Sequence, residues 1–211
     1  MYSQIGRFCE RQGVALNYRF VKPPDTYTGA TVIDPIKGYY EHPIATLDFA
    51  SLYPSIMQAH NLCFSTMIFR DQYTLIKRLE KKGLVVVERI EASGQIHWFV
   101  QENTYKGILP RLLHALLTAR RNVKKIMKQE KDNFKKQLLN SKQLALKISC
   151  NSVYGFTGSK TGKMGCWPIA ACTTTIGRQM IDDTKEAVET KYDAQVVYGD
   201  TDSVMVRFKE A

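Results

Sequence analysis

The stretch 196–208, VVYGDTDSVMVRF, sets two apolar, β-branched runs on either side of Gly199-Asp200-Thr201-Asp202. That pattern predicts a tight β-hairpin with two carboxylates at its tip. Asp in a turn ordinarily serves its own backbone, so a solvated turn accounts for this hairpin taken alone. A second feature upstream argues for more. Ile44-Ala45-Thr46-Leu47 reads as a short buried strand that ends on Asp48, ahead of Phe49-Ala50-Ser51-Leu52-Tyr53-Pro54. Asp48, Asp200 and Asp202 then all stand at strand ends. Like charges so placed repel one another unless a cation lies among them, and hard carboxylate oxygens suit Mg²⁺. A pair of such ions is a device for phosphoryl transfer.

Composition narrows the partner. The 211 residues are 44% apolar and 24% charged, ordinary for a soluble globular protein, but the net charge is +10. Such an excess implies a polyanion, either nucleic acid or an anionic membrane. No apolar run approaches a membrane span and no signal-peptide core follows Met1-Tyr2-Ser3. A soluble intracellular protein with no membrane partner is therefore expected. Cys9, Cys63, Cys150, Cys166 and Cys172 are odd in number and include no C-x-x-C pair, so they read as reduced thiols filling the core.

Between the two acidic segments the chain is mostly helical in pattern. Residues 1–18 have helical spacing, with Ile5, Phe8, Cys9, Gln12 and Leu16 on one side, and residues 28–40 read as strand, turn and strand around Asp34-Pro35 and Gly38. A helix is expected to start near Pro54, another to cover 71–82, and a hairpin to join 84–91 to 95–100. Residues 107–155 read as two long antiparallel helices joined near Asp132-Asn133. Leu109, Leu112, Leu113, Leu116, Leu117, Val123, Ile126 and Met127 stripe the first, and Leu138, Leu139, Leu144, Ala145 and Ile148 the second. From Arg120 to Lys147 ten Lys or Arg stand against Glu130 and Asp132 alone. Many of these charges need only be a solvated face. Arg120 and Lys124 nevertheless share one face at i and i+4, as do Lys147, Asn151 and Tyr154 at i, i+4 and i+7, a geometry able to hold a triphosphate and a base. A further amphipathic helix over 173–192 leads back to the hairpin. The whole is an α+β layer, with helices on one face of an antiparallel sheet and a long helical hairpin beside it.

Three motifs then carry a resemblance. DFASLYPSI at 48–56, KISCNSVYG at 147–155 and YGDTDS at 198–203 resemble, in order, the A, B and C motifs of the B-family DNA polymerases. YTGATVIDPIKGYY at 27–40 and QLALKISCNSVYGFTG at 143–158 are most similar to the delta-type replicative enzymes, while QAHNLCFST at 58–66 also resembles herpesvirus-type ones. The resemblance implies a palm in two parts, 1–106 with a small helix-and-hairpin insert and 156–211, with 107–155 as the fingers. No Asp-x-Glu signals a proofreading exonuclease, and no thumb follows Ala211, so an internal segment that polymerises weakly or not at all by itself is expected.

The same resemblance implies the roles. Asp48 and Asp202, with the backbone carbonyl of Phe49, would hold two Mg²⁺ ions roughly 4 Å apart. Asp200 would act as a further catalytic carboxylate, ligating directly or through water. Ser51 and Leu52 would offer backbone amides to the triphosphate, Arg120, Lys124 and Lys147 would grip it, and Asn151 and Tyr154 would line the nascent base pair. Tyr53 would occupy the space of a 2′-hydroxyl. The implied reaction is nucleotidyl transfer from dNTP to a primer 3′-hydroxyl on primer-template DNA. Accessory replication subunits or a processivity clamp would bind outside this chain, in the nucleus or at a site of viral DNA replication. Two other classes compete. Asp200 after a hydrophobic strand also fits the phosphorylated Asp of haloacid-dehalogenase-like phosphotransferases, and charge alone fits a nonenzymatic nucleic-acid-binding module. Other palm polymerases place two adjacent Asp in the last motif, whereas here Thr201 separates them.

Overall fold

In the computed structural model, which describes residues 2–15, 28–82, 87–92, 94–159 and 164–208, the chain runs α1 (Tyr2–Arg11), β1 (Val32–Ile33), β2 (Ile44–Asp48), α2 (Leu52–Ala59), β3 (Met67–Ile68), a 3-10 turn (Arg70–Gln72) and α3 (Tyr73–Glu80). It continues through β4 (Val87–Ala92), β5 (Gln95–Val100), α4 (Ile108–Gln129), α5 (Asn133–Thr157), α6 (Trp167–Lys191), β6 (Ala194–Asp200) and β7 (Ser203–Phe208).

The alternating apolar residues of 194–208 give the expected hairpin, and it forms the middle of a four-stranded antiparallel sheet in the order β1-β6-β7-β2. Helix α6 lies on one face of that sheet. Ile181 and Val188 from the helix meet Val196, Val204 and Val206 from the strands, an all-apolar contact that excludes water. The larger core lies on the other side of α6, where Leu52, Ile56 and Met57 of α2 and Leu109 and Leu113 of α4 pack with Ile169 and Cys172. This second core seats the base of the long helical pair against α2 and α6. All five cysteines are buried and free.

Several expectations change in detail. Helix α1 stops at Arg11 because Gly13 takes a left-handed φ of 63°, and Gln12, Gly13 and Val14 donate their amides back to Phe8, Glu10 and Cys9. Leu16 falls outside the described residues. Only one strand forms in 28–40, since Pro35 has no amide for a ladder and the chain continues with a single further bond, Ile36 N–H to the Val197 carbonyl at 2.8 Å. Strand β2 is not buried. It stands at the sheet edge, with Leu47 44% exposed. The insert gains a strand: β3 pairs with β5, giving a second sheet in the order β3-β5-β4.

The helical pair α4 and α5 has the expected short connection, where the Asp132 carboxylate accepts from the Lys135 amide at 2.9 Å and caps α5. Its apolar stripes do not both point inward. Leu138, Leu144 and Ile148 of α5 are 64%, 44% and 65% exposed, and Ile126 of α4 is 55% exposed. The face of α5 turned to its neighbours is instead Gln143, Cys150, Val153 and Thr157.

Where α4 begins, Asn61 organises the junction. Its side chain donates to the Val100 and Tyr105 carbonyls, both at 2.7 Å, and accepts from the Gly107 amide at 2.8 Å. Gly107 is packed so tightly there that an added Cβ would sit 2.7 Å from Cys63 Cβ and 3.1 Å from both Asn61 Oδ1 and Thr66 Cγ2. None of these atoms is the free end of a long side chain. Gly107→Ala is expected to cost about 1–3 kcal/mol by overpacking. Thermal unfolding should register a drop of roughly 2–4 °C for each kcal/mol.

Candidate active site

Two residues, Thr201 and Asp202, close the turn between β6 and β7. Thr201 adopts φ 52°, a left-handed conformation that costs a β-branched residue about 1–3 kcal/mol. Surrounding bonds hold it: its amide donates to the Thr31 carbonyl at 3.1 Å and its hydroxyl to Asp200 Oδ1 at 2.8 Å. Next door, the Phe49 amide donates to the Asp202 carbonyl at 2.8 Å, and Asp48 is in register with Ser203. The acidic turn is thereby tied to the end of β2, which brings Asp202 beside Asp48.

Both carboxylates line a cleft of about 380 Å³. Phe49, Ser51, Leu52, Tyr53, Arg120, Lys124, Lys147, Asn151 and Tyr154 line the rest of it, together with Ala50, Pro54 and Thr201. Residues separated by more than 150 positions in sequence thus share one wall. Asp200 is the exception. It is exposed, faces its own turn through Thr201 and does not line the cleft. Asp48 and Asp200 both pair with Ser203, one from each side, so they stand in one row across the sheet with Asp202 in the turn beside them.

Burial, then the negative charge of Asp48, push the Asp202 carboxyl above its ordinary value, with Asp200 adding to the push. Lys147 and a hydrogen bond from the backbone pull the other way without cancelling it. An acid pair with this imbalance favours a bound cation. Among the described residues no three Asp, Glu, His or Cys form a cage for a metal. Two carboxylates facing an open cleft instead suit Mg²⁺, which dehydrates reluctantly and is commonly held by one or two carboxylates plus substrate phosphates.

At the start of α2, Ser51 takes φ 55° and the helix has no side-chain cap, so its first amides face the cleft side without a partner from that residue's hydroxyl. Such amides attract anions. Arg120 crosses from α4 to this point: Nη1 lies 3.5 Å from Ser51 Oγ, and Nε donates to Gln143 Oε1 at 3.2 Å. Gln143 is buried and held in turn by Asn140 at 3.0 Å. It orients the guanidinium. Sequence reasoning passed over Gln143, although it lies one turn before Lys147 on the face that continues through Asn151 and Tyr154.

Two of the lining residues are aromatic. The rings of Tyr53 and Tyr154 meet in a tilted contact, with centroids 4.3 Å apart at an interplanar angle of 39°. Behind Tyr53, Gly177 of α6 leaves so little room that a Cβ would come within 3.2 Å of Tyr53 Cε1. Gly177 also escaped the sequence reading. A glycine inside a helical pattern, at about 1 kcal/mol against Ala, was the available signal of a close approach.

Comparison with known proteins gives the family. The family model for DNA polymerase family B matches residues 4–211. The chain is 48% identical over 214 residues to the DNA polymerase delta catalytic subunit of Mesocricetus auratus, covering 98% of this chain and 19% of that one. It is 49% identical over 203 residues to the corresponding subunit of Schizosaccharomyces pombe, covering 92% of this chain and 18% of that one, and 50% identical over 193 residues to that of Caenorhabditis elegans, covering 86% and 17%. The chain spans about a fifth of the length of the relatives it matches. With the hairpin carboxylates, the basic helical pair and the match along almost every residue pointing one way, the chain belongs to DNA polymerase family B.

Proposed function

We propose that the cleft is the nucleotide site of a delta-type replicative DNA polymerase, joining a dNTP to a primer 3′-hydroxyl against a template. The observation that carries this reading is one cavity lined at once by two carboxylates, three cations and a contacting pair of tyrosines. Asp48 and Asp202, with the carbonyl of Phe49, would hold two Mg²⁺ ions. Bound there, the ions would activate the primer hydroxyl and neutralise charge on the reacting phosphates. Asp200, outside the cleft, would act through water or through the conformation of its turn.

The rest of the work belongs to the chain. Arg120, Lys124 and Lys147 would draw the triphosphate along α4 and α5, with the α2 amides of Ser51 and Leu52 at its other side, so that charge-assisted bonds fix the α-phosphate in line with the primer. Asn151 and Tyr154 would bound the nascent base pair by shape. Tyr53 would lie under the sugar. Primer-template DNA is the polyanion that the +10 charge fits. The eukaryotic relatives support action in the nucleus, with accessory subunits or a clamp bound through other regions. The haloacid-dehalogenase-like alternative loses its support, because Asp200 ends a strand of an antiparallel hairpin in a sheet with no parallel pair among the described strands.

Neutralising Arg120, Lys124 or Lys147 one at a time in the intact polymerase tests the assignment. Each is expected to raise the dNTP KM or lower the insertion rate by roughly tenfold or more, the worth of one charge-assisted bond, with primer-template affinity little changed. Loss of DNA binding with unchanged nucleotide kinetics would assign these helices to the duplex instead.

A further inference from the structure

A second cleft, of about 600 Å³, opens between α2 and α4 on the other side of Ser51. It shares four wall residues with the nucleotide cleft: Ala50, Ser51, Arg120 and Lys124. Beyond them its walls are His114, Leu117 and Arg121 of α4, Ser55, Gln58 and Ala59 of α2, and Glu102 and Lys106 from the segment before α4. His114, Leu117, Arg121 and Lys124 recur at helical spacing, so they form one continuous face. Four cationic side chains face a single carboxylate, and that one, Glu102, is already paired with Lys106 at 2.6 Å. Arg121 spends its one recorded bond on the Thr118 hydroxyl at 3.2 Å, a neutral partner.

Asp48 and Asp202 line the first cleft alone, whereas Arg120 and Lys124 are common to both and Arg121 and Lys106 carry positive charge on into the second. A small, multiply charged anion released near Lys124 meets a run of cations that continues past Ser51 to Arg121. Resting on the polymerase reading, we propose that the cleft between α2 and α4 is a binding and exit site for the inorganic pyrophosphate that nucleotidyl transfer releases. When the primer hydroxyl oxygen bonds to the α-phosphorus it gives up its proton to water, the bond to the bridging oxygen breaks and pyrophosphate leaves with the electron pair. In the reverse reaction a pyrophosphate oxygen attacks the terminal phosphodiester, and the departing primer oxygen takes a proton from water, restoring dNTP and the primer hydroxyl. By microscopic reversibility both directions use the same passage.

The test uses Arg121→Ala, Arg121→Lys and Arg121→Ala with His114→Ala in the intact polymerase, probed with inorganic pyrophosphate. The KM for pyrophosphate in pyrophosphorolysis, and its inhibition constant against extension, are expected to rise roughly tenfold in Arg121→Ala and further in the double variant. Arg121→Lys should keep most of the affinity, because the charge stays. Unchanged pyrophosphate constants beside normal extension would overturn the exit site and leave the polymerase reading standing. A parallel rise in dNTP KM would merge the cleft with the nucleotide site, and weakened primer-template binding would give it to DNA; either overturns the proposal. A wild-type enzyme that neither extends nor degrades a primer would overturn the reading beneath it.

Discussion

Asp48→Asn and Asp202→Asn in the intact polymerase are each expected to lower primer extension by about 10³-fold or more, equivalent to roughly 4 kcal/mol of transition-state stabilisation, while primer-template binding stays nearly intact. The two carboxylates line the same cleft as Arg120, Lys124 and Lys147, at the point where transfer would occur. Asp200→Asn should produce only a partial loss, since Asp200 turns toward Thr201 rather than the cleft.

The stability of the same variants gives a readout that does not depend on activity. The Asp202 carboxyl is raised above its ordinary value by burial and by Asp48, so the fold disfavours its ionised form. Its contribution to metal-free stability is thus present below the ordinary carboxylate range and is lost as pH rises through the raised native value. At pH near neutral, removing that charge relieves repulsion. Asp202→Asn should therefore melt no lower than the wild type without metal, and Mg²⁺ should raise the melting temperature of the wild type but not of the variant. A variant that melts much lower without metal would make Asp202 a structural residue.

The second large effect concerns sugar choice. Tyr53 packs against Tyr154 on one side and stands within 3.2 Å of a Cβ position on Gly177 on the other, so its ring has little freedom to retreat. A rigid ring at the sugar rejects an added 2′-hydroxyl by clash, which an apolar pocket alone does poorly. Tyr53→Ala is expected to lower dATP-over-ATP selectivity by about a hundredfold or more, near 3 kcal/mol, with insertion of dATP largely surviving. Tyr53→Phe should keep the discrimination because the ring remains. Gly177→Ala, which pushes the ring toward the sugar, should raise the dATP KM in the wild type and do little in a Tyr53→Ala background. Single-nucleotide insertion kinetics measure all four enzymes. Unchanged selectivity in Tyr53→Ala would return the residue to the core it also touches.

The hairpin at 196–208 was legible because period-two apolar residues, a two-residue turn and a buried face all agree there, and the long helices because their spacing persists over six turns or more. What failed was which side of an element meets the core. Leu138, Leu144 and Ile148 make a convincing stripe, yet α5 packs mainly on α4, with α2 and α6 beside it, and turns Gln143, Cys150 and Val153 inward instead. Strand β2 looked buried from composition, but order within a sheet is set by long-range pairing that no local pattern records. Strand β3 has two residues, too few for any periodicity. In the site, the motif residues were readable one by one. Gln143 and Gly177 were not, since their importance lies in what they press against: a guanidinium from another helix, and a tyrosine ring more than a hundred positions away.

The central claim is that Asp48 and Asp202 hold the divalent ions of nucleotidyl transfer in this cleft. Anomalous diffraction from crystals of the intact polymerase with primer-template, dNTP and Mn²⁺ tests it most directly. Two anomalous peaks are expected, both in contact with the Asp48 and Asp202 carboxylates and adjoining the dNTP phosphates. Peaks at Asp200 alone, or a dNTP bound elsewhere with no metal between Asp48 and Asp202, would contradict it.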